Sequence, residues 1–215
     1  MTEILLIRHG ETAWNAVRRL QGHLDVPLND EGLRQATALG HALRDEGLEA
    51  IWSSDLQRAR QTAQPIADAC NLPVHPDPRL RERCYGGFEG LLYDELATRH
   101  PAEYAAWKAR ELDAPLPPGE RMPETLRGFF ERATGAIADL VDGCGLRKVA
   151  LVTHGGVLEC AYRAAQGRLF DAPRDFDILN ASINRLTWDG QRLQILSWGD
   201  VAHLRDVRTL DEVDR

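Results

Sequence analysis

Ile4-Leu5-Leu6-Ile7-Arg8-His9-Gly10-Glu11-Thr12 is the stretch that decides how this 215-residue chain folds. Its apolar run, Ile4 to Ile7, is short and β-favouring, which predicts a buried strand. Arg8, His9 and Gly10 follow at once, and Gly10 permits backbone conformations that other residues resist. In open α/β sheets, ligands bind just beyond the carboxyl ends of the strands. The turn therefore sets a guanidinium and an imidazole where a ligand would lie.

Lys148-Val-Ala-Leu-Val-Thr-His154-Gly155-Gly156 repeats the pattern: an apolar strand, then His, then Gly. Two strands that each deliver His-Gly to their carboxyl ends can bring the imidazoles together. Between them, Pro27 to Glu31 reads as a helix start, with Asn29 capping and acids in the first turn. Leu33, Ala36, Gly40 and Leu43 then follow at helical spacing, and Gly47 marks the stop. Ala50 to Ser54 reads as a short strand, with Asp55 as the cap of a helix running to about Cys70. A further amphipathic helix is expected from Glu124 to Val141. Ser182–Trp188 and Leu193–Trp198 read as strands joined by a hairpin turn at Asp189-Gly190. The expected fold is α/β, a mostly parallel central sheet with helices on both faces. Residues 91–123 are helix-forming but broken by prolines, and are expected to form a small helical cap insertion. The single domain spans 1–205, and the charged tail 206–215 is expected to be loose.

Composition narrows the function classes. Apolar content of 43% and charged content of 27% are those of an ordinary globular protein. The formal net charge of −7 argues against non-specific nucleic-acid binding, which needs a basic face. It is compatible with an anionic small molecule, because a few arginines in a cleft set the local field. Cys70, Cys84, Cys144 and Cys160 form no CxxC pair and are expected as reduced core thiols. The apolar runs are too short to span a bilayer, and the N-terminus lacks a basic region followed by a long apolar one. Asn180-Ala-Ser182 is a sequon only formally. The expected location is the cytoplasm, with no membrane partner.

Arg8-His9-Gly10-Glu11-Thr12 together with Thr153-His154-Gly155-Gly156 resembles the histidine phosphatase superfamily, also called the phosphoglycerate-mutase-like proteins. Ser53-Ser-Asp-Leu-Gln-Arg58-Ala-Arg-Gln-Thr-Ala63 is similar to the family's second signature. The resemblance extends from residue 4 to about residue 188. It implies His9 as nucleophile, Arg58 as a phosphate-binding arginine and Glu82 as proton donor. Glu89, in a Gly-x-x-Glu-Gly turn, is expected to be structural. The implied phosphate-binding set is Arg8, Asn15, Gln21, Gly22, Arg58, His154 and Gly155. The amide side chains of Asn15 and Gln21 are suited to donating hydrogen bonds to phosphate oxygens. Two departures bear on the substrate. Cys84 stands where some mutase members have histidine. Pro118-Gly119-Glu120-Arg121-Met122 replaces a Gly-Gly-Glu-Ser-like sequence found in many members.

These groups imply covalent phosphoryl transfer. Neutral His9 attacks phosphorus through one ring nitrogen while a backbone carbonyl holds the N–H on the other. Arg8 and Arg58 stabilise the spreading charge, and His154, if protonated next to the dianion, adds another donor. Glu82 protonates the leaving oxygen and then activates water, and as an acid it should have its pKa raised by burial or by the phosphate. No metal is implied, since His9 and His154 come with no carboxylate at ligand spacing. A phosphomonoester hydrolase of the phosphatase-type branch, acting on a small phosphate monoester without a cofactor, is the leading reading. A phosphoglycerate mutase using the same phosphohistidine, with 2,3-bisphosphoglycerate as primer, is the alternative. A catalytically inactive binding module is the third, and the complete residue set argues against it. A homodimer is compatible with either enzyme.

Overall fold

The computed structural model describes residues 1–168, 172–205, 207 and 209–211. Six strands form one mixed sheet: β1 Thr2–Arg8, β2 Ala50–Ser53, β3 Val74–Pro76, β4 Lys148–Thr153, β5 Ile183–Trp188 and β6 Leu193–Asp200. Their order is β3-β2-β4-β1-β5-β6. The β1–β4, β2–β4 and β2–β3 pairs are parallel, and the C-terminal hairpin adds β5 and β6 antiparallel at one side. Flanking helices are α1 Ala13–Ala16, α2 Asp30–Leu43, α3 Gln57–Cys70, α4 Tyr93–Arg99, α5 Pro101–Lys108, α6 Leu126–Val141 and α7 Gly155–Gln166.

Side-chain alternation along β1 builds two cores. Ile4 and Leu6 pack with Phe129 and Ile137 of α6 and Val157 and Leu158 of α7. Leu5 and Ile7 pack on the other face with Leu39 and Leu43 of α2 and Ala63 and Ile66 of α3. A strand covered on both faces reads as a continuous apolar run, which is why Ile4–Ile7 has no polar interruption. Each such fully buried aliphatic side chain contributes roughly 1.5–3 kcal/mol.

Several local expectations are corrected. Leu33 is 46% exposed, and the buried stripe of α2 runs instead through Gln35, Ala36, Leu39, Gly40 and Leu43. Leu56, not Asp55, occupies the N-cap position of α3, and the Ser54 hydroxyl accepts from the Leu56 N–H at 3.4 Å. Asp55 instead pairs with Arg81 at 2.6 Å. Thr125 caps α6 through the Gly128 N–H, leaving Glu124 ahead of the helix. Strand β3, only three residues long, had no sequence signal.

The cap region has its own small core. Leu96 of α4 and Trp107 of α5 pack with Leu20, Phe88 and Leu116. Of the charged tail, Asp206, Arg208 and 212–215 lie outside the described residues. Within them the chain bonds back to the body: the Asn180 N–H donates to the Leu210 carbonyl at 2.8 Å, and the Ile178 N–H to Asp211 at 2.7 Å.

Candidate active site

Parallel pairing of β1 with β4 puts Arg8 opposite Thr153, so both chains leave the sheet at one level. The His9 N–H continues the ladder to the Thr153 carbonyl at 2.9 Å, and the Ser54 N–H does the same to Val152 at 2.9 Å. His9, His154 and Ser54 are thereby gathered at the carboxyl edge of the three central strands. The two imidazole centroids are 5.1 Å apart and meet edge to face at 62°.

His9 is 3% exposed and its tautomer is fixed. Nδ1 lies 2.7 Å from the Gly10 carbonyl, which only accepts, so Nδ1 carries the hydrogen. On the other side, Arg58 Nε donates to His9 Nε2 at 3.3 Å, which requires a lone pair there. Burial, then Arg58 and Arg8, push the His9 pKa well below its usual value, so the ring is neutral at pH 7. The result is an imidazole with a nucleophilic Nε2 facing the guanidiniums.

Arg58 is buried in the first turn of α3 and held in place by carbonyls. Its Nη1 donates to Leu24 at 2.9 Å and its Nη2 to Gly22 at 2.8 Å. Arg60, two residues on, is exposed. Arg8 is held through Nη1 to the Ile178 carbonyl at 2.6 Å and to Leu210 at 3.3 Å. Such anchoring fixes the charges before any ligand arrives, which is the condition for electrostatic stabilisation without reorganisation.

Glu82 is 8% exposed. Its Oε1 accepts the Arg83 N–H at 2.8 Å, and Oε2 accepts the Gly156 N–H at 3.0 Å. A Cβ at position 156 would overlap Glu82 Oε1, so a side chain there would displace the carboxylate from its place against α7. Glu89 is different: its Oε1 accepts the N–H groups of His23 at 2.9 Å and Tyr85 at 3.0 Å, tying two loops together. Gly22, at φ +53°, sits directly against that carboxylate, where a side chain would clash.

A cleft of about 410 Å³ opens onto these groups. Arg8, His9, Asn15, Gln21, Gly22, Arg58 and Glu82 all line it. Asn15 also closes a capping box with Thr12, accepting its N–H at 3.0 Å. Gln21 is 8% exposed. His154 and Gly155 do not reach the cleft wall. His154 is fully buried, its Nε2 lies 2.8 Å from Ser54 Oγ, and burial followed by Arg58 and His9 pushes its pKa well below the usual value. The ring is therefore neutral on its own, and the protonation expected from the sequence is tied to a neighbouring phosphate dianion. Arg18, Arg19, Tyr85 and Tyr93 also line the cleft and were not singled out from the sequence. Arg18 has φ +56° and adjoins the Asn15-to-Gln21 loop, a position that could have marked it. Cys84 is buried and lines no part of the cleft; burial raises its thiol pKa. Among the described residues, no group of three or more His, Cys, Asp or Glu could hold a metal ion, and no helix is long and apolar enough to cross a membrane.

Residues 4–201 match the family model for the histidine phosphatase superfamily, branch 1. The chain belongs to the histidine phosphatase superfamily. Superfamily relatives carry both kinds of name. Phosphoglycerate mutase-like protein 4 of Arabidopsis thaliana is 41% identical over 208 residues, covering 95% of this chain and 87% of the relative. Metal-independent phosphoserine phosphatase of the same plant is 39% identical over 209 residues, covering 96% and 85%. Among solved superfamily structures, Bacillus stearothermophilus YhfR superposes with a TM-score of 0.85 at 34% identity, covering 94% of this chain and 99% of its own. The shared chemistry is phosphoryl transfer.

Proposed function

We propose that this chain is a phosphomonoester hydrolase working through a covalent phosphohistidine on His9, with Glu82 as proton donor. One observation carries the reading: a neutral imidazole, its tautomer locked by the Gly10 carbonyl, presents Nε2 to the cleft beside two anchored guanidiniums. The Nε2 lone pair attacks phosphorus, the P–O ester bond breaks, and the leaving oxygen takes a proton from Glu82. In the second half, carboxylate Glu82 takes a proton from water, the water oxygen attacks phosphorus, and the P–N bond breaks. His9 returns to the neutral form and inorganic phosphate leaves. Arg8 and Arg58 bind the equatorial oxygens, with Asn15, Gln21 and the Gly22 backbone as further contacts. His154 and Gly155 support the phosphoryl group from behind His9. These fixed cations take the part that a metal plays in other phosphatases, so neither metal nor cofactor is needed.

The second reading, a phosphoglycerate mutase, is favoured by the name of the 41% identical relative. It is weakened by position 84, where the side chain is a buried thiol outside the cleft. The deciding experiment is phosphate release from sugar, glycerate and nucleotide monophosphates without a bisphosphate primer, before and after exhaustive chelation. Release that chelation leaves unchanged is expected. Fast interconversion of 2- and 3-phosphoglycerate with negligible release would favour the mutase. Loss on chelation, restored by a divalent ion, would defeat the metal-free scheme.

A further inference from the structure

Glu82 lies on neither a strand nor a regular helix, but between the short helical turns Pro78–Leu80 and Gly86–Phe88. A proton donor carried on a loop is placed only as well as the loop is held. What holds residues 79–84 therefore bears on the chemistry.

The loop is wrapped around one side chain, Arg132 of α6. Its Nη1 donates to the Arg79 carbonyl at 2.7 Å and to the Arg81 carbonyl at 3.0 Å. Its Nη2 donates to the Glu82 carbonyl at 3.0 Å. The Leu80 carbonyl accepts from Thr153 Oγ1 at 2.6 Å, so side chains from α6 and β4 take four successive carbonyls. Glu124 fixes the guanidinium in turn: Nε donates to Oε1 at 2.6 Å and Nη2 to Oε2 at 2.7 Å. Glu124 Oε2 also accepts the Cys84 N–H at 2.9 Å, and the Glu124 N–H donates to the Cys84 carbonyl at 2.9 Å. The clamp thus closes on both sides of Glu82. It also explains why Glu124 stands ahead of α6 rather than inside it.

These bonds use all five N–H donors of the guanidinium. Arg132 is absent from the cleft wall, so its donors serve the loop and not a ligand. A lysine has three donors on a point charge and could not span three carbonyls and a carboxylate.

We infer that Arg132 is a positioning residue for the proton donor: paired with Glu124, it holds residues 79–84 so that the Glu82 carboxyl group meets the leaving oxygen. The inference rests on the hydrolase reading above, with Glu82 as the acid. Arg132 touches no substrate and acts through the main chain of the loop.

The test is single-turnover phosphorylation of His9 by an alkyl phosphate and by p-nitrophenyl phosphate, with the Kd of vanadate measured alongside and Glu82→Gln as reference. A misplaced donor harms the alkyl ester, whose alkoxide needs the proton, and largely spares p-nitrophenolate. Arg132→Met should slow the alkyl ester by about 10²-fold, the cost of a misplacement of roughly 1 Å. The nitrophenyl ester should slow far less. Vanadate affinity should not change, because Arg8, His9 and Arg58 are held by other carbonyls. Arg132→Lys should recover part of the alkyl rate. Should Arg132→Met fail to fold, Arg132→Lys decides alone, with the same leaving-group dependence at smaller size. Equal slowing of both esters, or a loss of vanadate affinity that matches the loss of rate, overturns the inference and leaves Arg132 a general support of the fold. Leaving-group dependence in Glu82→Gln that neither Arg132 variant shows overturns the inference alone. No such dependence in Glu82→Gln defeats Glu82 as the acid, and the role of Arg132 falls with it.

Discussion

Replacing Glu82 by Gln separates its two tasks, structural and chemical. In the structure each carboxylate oxygen accepts one main-chain N–H, from Arg83 at 2.8 Å and from Gly156 at 3.0 Å. Gln keeps one acceptor and turns the other into an NH₂, which then faces an N–H donor. One buried donor loses its partner, at a cost of about 1–3 kcal/mol. For a chain of this size that corresponds to a fall in Tm of roughly 2–12 °C. The chemical loss is different in kind, because Gln has no proton to give. An alkyl alkoxide leaves poorly unless protonated, so phosphorylation of the enzyme by an alkyl phosphate should slow by about 10²–10⁴-fold. p-Nitrophenolate leaves unaided, and the same step with p-nitrophenyl phosphate should slow far less. Rapid-quench, single-turnover formation of phosphohistidine is the assay, since steady-state rates would mix in the role of Glu82 as base. Glu89→Gln serves as control: it disturbs the bonds to His23 and Tyr85 and should affect both esters equally. Equal slowing of both esters by Glu82→Gln, or leaving-group dependence in Glu89→Gln, would refute the assignment of the acid.

Two further outcomes are expected. Every histidine with a displaced pKa is displaced downward: His9, His154, His23 and His203, each chiefly by burial. The unfolded chain therefore binds protons near pH 6.5 that the folded chain refuses, so stability is complete above that pH and falls as pH drops below it, with a slope of up to about 1.4 kcal/mol per pH unit per group. Urea melts at pH 5 and 7.5 should show the lower stability at pH 5, and equal midpoints would contradict the burial of neutral rings. Asp211→Ala removes the acceptor for the Ile178 N–H and for Arg174, loosening the loop whose Ile178 carbonyl holds Arg8. Vanadate affinity should fall by about fivefold, the worth of one hydrogen bond, and an unchanged Kd would show that Arg8 does not depend on this support.

What the sequence disclosed follows from how local each signal is. Strand β1, strand β4 and their His-Gly ends were legible because fully buried strands write continuous apolar runs, and the parallel register then fixes the two imidazoles together. Asn29 as N-cap of α2 was legible because its side-chain bond to Gly32 is three residues away. Strand β3 was not, since its residues are mostly exposed and it exists only by pairing with β2. Asp55 looked like a cap because cap residues are acidic, but its partner Arg81 lies in another loop. The surroundings of His154 were not legible, because nothing in the sequence reveals that it is fully buried beside Arg58 and bonded to Ser54.

The central claim is that phosphate passes through Nε2 of His9. The most direct measurement is mass spectrometry with ³¹P NMR on enzyme quenched under alkaline conditions after brief exposure to substrate. With Nδ1–H bonded to Gly10 at 2.7 Å, the phosphorus should sit on Nε2, the adduct should be acid-labile, and His9→Ala should lack it. Phosphate on Nδ1, or on any serine, aspartate or cysteine including Cys84, would contradict the account.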